Sequence, residues 1–338
     1  VDLKKTYQSD IEDLKLEISR SREKAVFSVN KELILLYWKI GKKILEMQEK
    51  EGWGTKVIDQ ISLDLRNHFP EIKGFGTRNL KYMRKFAEEY RDLEFVQAVL
   101  AQLPWYHNIT LLDKVSNEND RAFYIVQAVE NSWSRNTMVR QIETKLHERQ
   151  GQAITNFKSR LLSPQSGNAQ NALKDPYIFD FLSISDDAQE REIEKTLVSH
   201  MERFIMELGV GFSFVGRQYH LEVGDQDFYV DLLFYHLKLR CFIVVELKDT
   251  NFKPEYAGKM NFYLSVVDDT LKHESDQPSI GLILCKNKNN VLAEYALRDM
   301  TKPIGLAEYN FTKGLPENLK TALPTIAELE EELEKDHA

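Results

Sequence analysis

At 338 residues the chain is longer than one ordinary domain requires, and at roughly 150 residues per domain the expectation is two. Its 42% hydrophobic and 29% charged composition is that of a soluble globular protein, and no apolar run approaches the ~18 residues of a membrane span. The net charge of −8 argues on its face against a nucleic-acid partner, but the charge is uneven: residues 1–160 hold 27 Lys and Arg against 23 Asp and Glu, and residues 161–338 hold 18 against 30. A basic binding module joined to an acidic second module gives this asymmetry.

The start, VDLKKTYQSDIEDLKLEISRS, is charged throughout and lacks the apolar core of a secretory signal, so the expected location is cytoplasmic. Leu14, Ile18, Ala25, Val29, Leu33, Leu36, Ile40, Ile44 and Met47 then recur at steps of three, four or seven. This spacing predicts a long amphipathic helix, continuous or broken, over about 9–49. Two helices follow, Thr55 to His68 and Thr77 to Tyr90, separated by FPEIKGFG, with Thr77 as the expected N-cap of the second. Further helical patterns cover about 94–103, 118–131 and 134–149, and Trp53, Trp105 and Trp133 read as core residues. LLSPQSGNAQNALKDP reads as a connector. One more helix, about Asp187 to Leu208, precedes three strand-like runs, FSFVGRQYHLEV, DFYVDLLFYH and RCFIVVELK; a helix over PEYAGKMNFYLSVVDDTLK and the strand SIGLILCK follow. The expected fold is α+β overall, an all-α N-terminal domain followed by an α/β domain whose mixed sheet is flanked by helices. Expected bounds are 1–160 for the helical domain, 161–176 for the linker, 177–312 for the α/β domain and 313–338 for an acidic tail. Cys241 and Cys285 read as buried core thiols, and no histidine falls in a zinc spacing.

CFIVVELK is apolar until it ends in Glu246, Leu247 and Lys248, as a central strand does where it leaves the core. Period two puts Glu246 and Lys248 on one face, and a hairpin returns Glu246 to the side of Asp231 in the preceding strand. Two carboxylates aimed at one point suit a hard divalent cation, and a lysine beside them can orient the attacking water and offset phosphate charge. These are the parts of phosphodiester hydrolysis. Glu and Lys at a strand end are commonly only solubilising, but Asp231 within VDLLF is costly there unless paired. Gln218, in VGRQ, either reaches this cluster or pairs with a sheet edge.

The stretch from about Glu190 to Tyr309, with GFSFVGRQYHLEV, DFYVDLLFYH, VVELK, FKPEYAGKMNFYL and SIGLILCKNKN, closely resembles the YhcG-type family of PD-(D/E)XK nucleases. Upstream, WGTKVIDQISLDLRNHFP, GFGTRNLKYMRKF, LPWYHNITLLDKV and KDPYIFDFL look like the helical domain that accompanies it. The resemblance implies a restriction-endonuclease-like fold and an Mg2+- or Mn2+-dependent endonuclease. It gives Asp231 the family's strand aspartate, Glu246 and Lys248 its (D/E)XK pair, and the Leu247 carbonyl a further metal contact. It also points to Glu194, on the helix before the sheet, for which a salt-bridging role stays open. Lys259 and Tyr263 hold the spacing of a Gln-x-x-x-Tyr motif seen in some relatives, with lysine in place of glutamine.

Between Ile72 and Ala87 stand Lys73, Arg78, Lys81, Arg84 and Lys85 and no acidic residue. With Asn79 they form the expected nucleic-acid-binding surface, in the order of a helix-turn-helix reader whose turn is longer than that motif's. A solvated charged face is the bland alternative. The expected function is a metal-dependent nuclease, with DNA favoured over RNA and no membrane partner. The alternative is a non-cleaving nucleic-acid-binding or assembly subunit of a larger defence or DNA-processing complex. A third reading is a scaffold oligomerising through the long first helix, so a homodimer or larger assembly stays open.

Overall fold

The apolar positions of the first fifty residues wind into one continuous helix, α1 (Leu3–Glu51). In this computed structural model, which describes residues 3–51, 56–182, 184 and 188–311, α1 is followed by α2 (Lys56–His68), α3 (Thr77–Glu89), α4 (Leu93–Ala98), a 3-10 turn over Leu100–Gln102, α5 (Trp105–Lys114), α6 (Glu118–Glu130) and α7 (Arg135–Glu143). These helices form a first unit; a second begins at Thr144. In the first unit α1 buries Ile34, Leu35, Tyr37, Trp38 and Ile44. Gly41 lets α1 and α3 approach closely, because a Cβ there would lie 1.9 Å from the Met83 carbonyl oxygen. The Trp38 indole donates to the Tyr90 carbonyl at 2.6 Å.

Several expectations change here. Leu14, Ile18, Val29, Leu33 and Leu36 are not on the packed face and are between 37% and 69% exposed. Thr77 is the first helical residue rather than the N-cap; Gly76 holds the cap position with extended backbone. The pattern at 134–149 divides, with Lys145 in the left-handed region (φ 50°) at the junction between the units. Helix α5 was not among the expected elements, because Pro104 reads as a break whereas it precedes the first turn, where a missing N–H costs nothing. Thr55 and Trp53 lie outside the described residues; Trp105 is buried and Trp133 partly so.

The second unit contains α8 (Leu146–Arg149), β1 (Ile154–Thr155), α9 (Phe157–Arg160), α10 (Gln165–Ala172), β2 (Tyr177–Ile178), α11 (Glu190–Ser199), α12 (Met201–Leu208), β3 (Phe212–Val223), β4 (Gln226–His236), β5 (Cys241–Asn251), α13 (Pro254–Thr270), β6 (Ile280–Asn287), α14 (Asn290–Arg298) and β7 (Ile304–Asn310). The sheet runs β1-β7-β6-β5-β4-β3, with β2 also on β7. The β3-β4-β5 meander is antiparallel, and β5, β6 and β7 are parallel, joined by crossover helices. Leu232, Val245 and Leu247 face Ile193 of α11 and Phe204 of α12, while Leu233 and Val244 face Met260 and Leu264 of α13. The fold is an all-α unit followed by a mixed sheet flanked by helices, as the strand and helix order implied. The helix expected at 187–208 breaks at His200, whose backbone leaves the helical region, and β7 extends the sheet beyond the expected strands.

The linker reading of 161–176 is corrected. Leu161, Ala169 and Leu173 belong to the core of the second unit, and residues 144–160 join that unit as well. Polar composition conceals this because the polar groups serve the backbone: Gln170 Nε2 donates to the carbonyls of Gly151 and Ala153 at 2.6 and 2.7 Å. Arg149 ties the segment further, donating to Glu207 at 2.7 Å and to the Pro176 carbonyl at 2.9 Å. Glu207 also accepts from Ile178 N at 3.0 Å. The tail expected at 313–338 lies outside the described residues.

Cys241 and Cys285 are free and buried, and burial pushes both thiols up to about 12. His236 ends β4 in the core, its Nδ1 accepting from Leu239 N at 3.1 Å. Its ring packs where any side chain at residue 211 would stand, and Gly211 also has φ +109°. Burial pulls the His236 imidazole down to about 4. The unfolded chain therefore binds the proton first, so the neutral ring's stabilisation is present above about pH 6.5 and is lost as pH falls toward 4. His236→Asn, which keeps a polar acceptor and removes the titration, is expected to flatten the melting temperature over that range relative to the unaltered chain.

Candidate active site

The β4-β5 ladder runs from His236↔Cys241 to Leu232↔Val245, and continuing the register sets Asp231 opposite Glu246. At this pair side chains replace the ladder. Leu247 N donates to Asp231 Oδ2 at 2.9 Å, and Asp231 N approaches Glu246 Oε1 at 3.4 Å. Strand β5 continues beside β6 through Lys248↔Cys285, so Glu246 and Lys248 project from a strand paired on its other side. Asp231, Glu246 and Lys248 are 7%, 2% and 7% exposed. Three ionisable groups buried this deeply must satisfy one another.

Lys248 is the centre of the arrangement. Its Nζ donates to Glu190 Oε1 at 2.8 Å and to the Leu247 carbonyl at 2.6 Å, and it lies 3.2 Å from Glu246 Oε2 and 3.7 Å from Asp231 Oδ2. The Tyr309 hydroxyl donates to the Lys248 carbonyl at 3.1 Å, fixing the backbone from β7. On one side, Gln218 Nε2 donates to Glu194 Oε2 at 2.5 Å and approaches Asp231 Oδ1 at 3.4 Å. Gln218 adopts φ 44°, a left-handed conformation that is unusual within a strand and turns its amide toward both carboxylates. Arg217 Nε holds Glu194 Oε1 at 3.1 Å. On the other side, Lys259 of α13 reaches Glu246 Oε2 at 3.1 Å, and its ammonium lies 5.0 Å from the centroid of the Tyr263 ring.

The seven residues singled out for chemistry, Asp231, Glu246, Lys248, Glu194, Gln218, Lys259 and Tyr263, are therefore contiguous. Two further members, Glu190 and Arg217, lie outside that set. Glu190 stands one helical turn before Glu194, a spacing that presents two carboxylates on one face of α11, and this was the available signal. Arg217 adjoins Gln218 and shows itself only through the bend of β3.

Burial raises the Glu246 carboxyl above its ordinary range, and Asp231 raises it further, against the opposing pull of Lys248 and Lys259. Burial likewise raises Glu190 and Glu194. For Lys248 burial acts downward, but Glu246, Asp231 and Glu190 outweigh it and the ammonium is held above its ordinary value. Lys248 is thus a hydrogen-bond donor at neutral pH. Burial acts downward on Lys259 also, and Glu246 overrides it.

Among the described residues no three acidic, histidine or cysteine side chains alone close a metal cage. The oxygens of Asp231, Glu246 and Leu247 instead surround a cation, the Lys248 ammonium. One or two carboxylates with a carbonyl, leaving room for water and phosphate, are a donor set that suits Mg2+. The residues fit the group.

In the first unit the basic segment is less open than its composition implies. Asn79 is corrected: it is 5% exposed, donates to the Gly74 carbonyl and accepts from the Trp105 indole, each at 2.7 Å. A residue locked between a turn and a tryptophan is structural. Lys85 donates to the Leu112 carbonyl at 3.0 Å and to Asp113 at 3.2 Å, and Arg84 pairs with Glu88 at 3.1 Å. Lys73 and Lys81 are exposed, and Arg78 is partly exposed.

Residues 170–324 match a family model described as YhcG PDDEXK nuclease domain, and residues 13–149 match the DUF1016 N-terminal domain. The chain is 30% identical over 343 aligned positions to a protein of Escherichia coli (strain K12) named "Putative nuclease YhcG", covering 90% of each chain. Among solved structures it matches a repair endonuclease from Pyrococcus abyssi at 18% identity and TM-score 0.26, covering 37% of this chain and 48% of that one. It also matches a chain of the EndoMS-dsDNA2 complex at 15% identity and TM-score 0.26, covering 39% and 46%. It spans about half the length of these two structures.

Proposed function

The chain belongs to the YhcG family of PDDEXK nucleases, and from that premise we propose that it hydrolyses phosphodiester bonds in DNA at the Asp231, Glu246 and Lys248 cluster with a divalent metal ion, Mg2+ or Mn2+. The observation that carries this reading is the convergence of two buried carboxylates and the Leu247 carbonyl on one buried cationic group where β4 and β5 part. Asp231, Glu246 and the Leu247 carbonyl would hold the metal, which when bound polarises the scissile phosphate and the attacking water. Lys248, kept protonated by its carboxylate neighbours, orients that water and donates to a phosphate oxygen. Gln218 and Arg217 fix Glu194 beside Asp231. Lys259, with its side chain 47% exposed and still paired to Glu246, offers a second positive charge at the mouth of the site. Water attacks phosphorus and gives up a proton, one bridging P–O bond breaks, and the departing oxygen takes up a proton, so that the elements of water are divided between the two new ends.

In this reading the helical unit binds the polymer through the basic segment of Lys73, Arg78, Lys81, Arg84 and Lys85, of which Lys73 and Lys81 are the exposed members. Lys73→Glu combined with Lys81→Glu is expected to weaken DNA binding and to reduce the slope of log affinity against log salt by about two. A salt slope unchanged by the double variant would remove this surface. The substrate is tested with labelled duplex, branched and single-stranded DNA and with RNA, each with Mg2+, Mn2+ or EDTA. Cutting of DNA that EDTA abolishes is the expected result; binding of DNA without cutting under any metal would favour the non-cleaving subunit.

A further inference from the structure

The Lys248 ammonium carries three N–H donors and has four oxygens about it. Two of these contacts are hydrogen bonds, to the Leu247 carbonyl at 2.6 Å and to Glu190 Oε1 at 2.8 Å. Glu246 Oε2 at 3.2 Å and Asp231 Oδ2 at 3.7 Å are the other two. The oxygens of Leu247, Glu246 and Asp231 are also those that would hold a divalent ion. Mg2+ takes its oxygens at about 2.0–2.1 Å, so an ammonium and a metal on the same carbonyl contest that oxygen and repel one another. Glu190 is the contact of the four that lies outside the contested set. Its placement is built into the fold. Gln189, at the N-cap of α11, makes no side-chain cap bond; Asp249, the residue after Lys248, accepts from Glu190 N at 3.2 Å instead. The strand that carries the lysine thus holds the first turn of the helix that carries its carboxylate partner. Glu194, one turn further on, is engaged by Gln218 and Arg217.

We propose that Glu190 is a positioning residue for Lys248: it retains the ammonium when a divalent ion takes the oxygens of Asp231, Glu246 and the Leu247 carbonyl, and so sets how readily the site loads metal. This rests on the reading of Asp231 and Glu246 as the metal-holding pair. In the metal-free protein Lys248 offsets the charge of those two carboxylates and competes with a divalent ion for them. Glu190 weakens the competition by offering the ammonium a carboxylate that the ion does not use. It also keeps Lys248 beside the site, where the lysine orients the attacking water. Without Glu190, the oxygens left to the ammonium are those the metal needs.

The experiment is Mn2+ binding to the full chain by titration calorimetry, without nucleic acid. It compares the unaltered protein with Asp231→Asn, Lys248→Met, Glu190→Gln and the double variant of the last two. Glu192→Gln, which removes an exposed carboxylate from the same helical turn, controls for charge alone. Lys248→Met removes the competing ammonium and is expected to bind Mn2+ about tenfold more tightly or better. Glu190→Gln is expected to weaken binding about tenfold when Lys248 is present and less than about threefold when it is replaced, because Glu190 acts through the lysine. Glu192→Gln is expected to change affinity by less than about twofold. Circular dichroism checks the fold of every variant. Lys248→Met at or below the affinity of the unaltered chain, or a Glu190→Gln effect that persists without the lysine, would overturn the proposal. Should Lys248→Met lose its fold, Glu190→Gln against Glu192→Gln still decides, since equal affinities would overturn it. Mn2+ binding that is absent, or that Asp231→Asn leaves intact, would overturn the metal assignment of the site and the proposal with it.

Discussion

Lys248→Ala is expected to lower cleavage by about 10²–10³-fold while leaving DNA affinity within about twofold, since it removes a donor aimed at the reacting phosphate and touches no part of the helical binding surface. Single-turnover cleavage beside a binding isotherm separates the two effects. The same substitution has a second consequence in the metal-free protein. It withdraws the cation shared by Glu246, Asp231 and Glu190. The carboxyls of Glu246 and Glu190 already lie above their ordinary range through burial, so the folded state takes up protons more readily than the unfolded chain. Their contribution is most favourable at low pH and is lost as pH rises above the ordinary carboxylate range. Melting between pH 5 and 8 is expected to show a steeper loss of stability with rising pH in Lys248→Ala than in the unaltered chain; parallel curves would mean that the lysine does not neutralise this site.

Arg149→Met is expected to destabilise the second unit by about 3–5 kcal/mol, because it removes one member of a buried ion pair, Arg149–Glu207. Glu207 is 1% exposed, and Arg149 links it to the Thr144 and Pro176 carbonyls. The paired replacement Arg149→Met with Glu207→Gln keeps an acceptor for Ile178 N and removes the stranded charge, so it should recover part of the loss. Denaturant unfolding followed from the second unit measures both. A single variant within about 1 kcal/mol of the unaltered chain would mean that water reaches Glu207 and the pair does not hold 144–178 to α12.

The candidate site is legible in the sequence because its chemistry interrupts strong patterns. Asp231 breaks the apolar run VDLLF, and Glu246 and Lys248 close a strand that is otherwise hydrophobic on both faces, so a charge at those positions had to be paired. Glu190 was hidden, since acidic residues in a first helical turn are ordinary and only its distance to Lys248 distinguishes it. The segment 161–176 resembles a linker for a related reason. Leu161, Ala169 and Leu173 are spaced too widely among Ser, Gln and Asn to give a period, and the core they enter is assembled from β7 and α12, far along the chain. Asn79 failed in the opposite direction: on a helical wheel it stands among basic residues, but the close approach of Trp105 turns it into a buried joint. In α1 the spacing identifies the helix, whereas burial falls on Ile34, Leu35, Tyr37 and Trp38 and, of the expected stripe, on Ile44.

The measurement that bears most directly on the central claim is metal-started, single-turnover cleavage of labelled duplex DNA by the unaltered chain and by Asp231→Asn, with DNA binding measured in parallel. Asparagine keeps one acceptor oxygen for Leu247 N and removes the negative charge. The account predicts cutting that begins on adding Mg2+ or Mn2+, stops with EDTA, and falls by about 10²–10³-fold in Asp231→Asn at unchanged affinity. Cutting that proceeds in EDTA, or that Asp231→Asn retains in full, would contradict it.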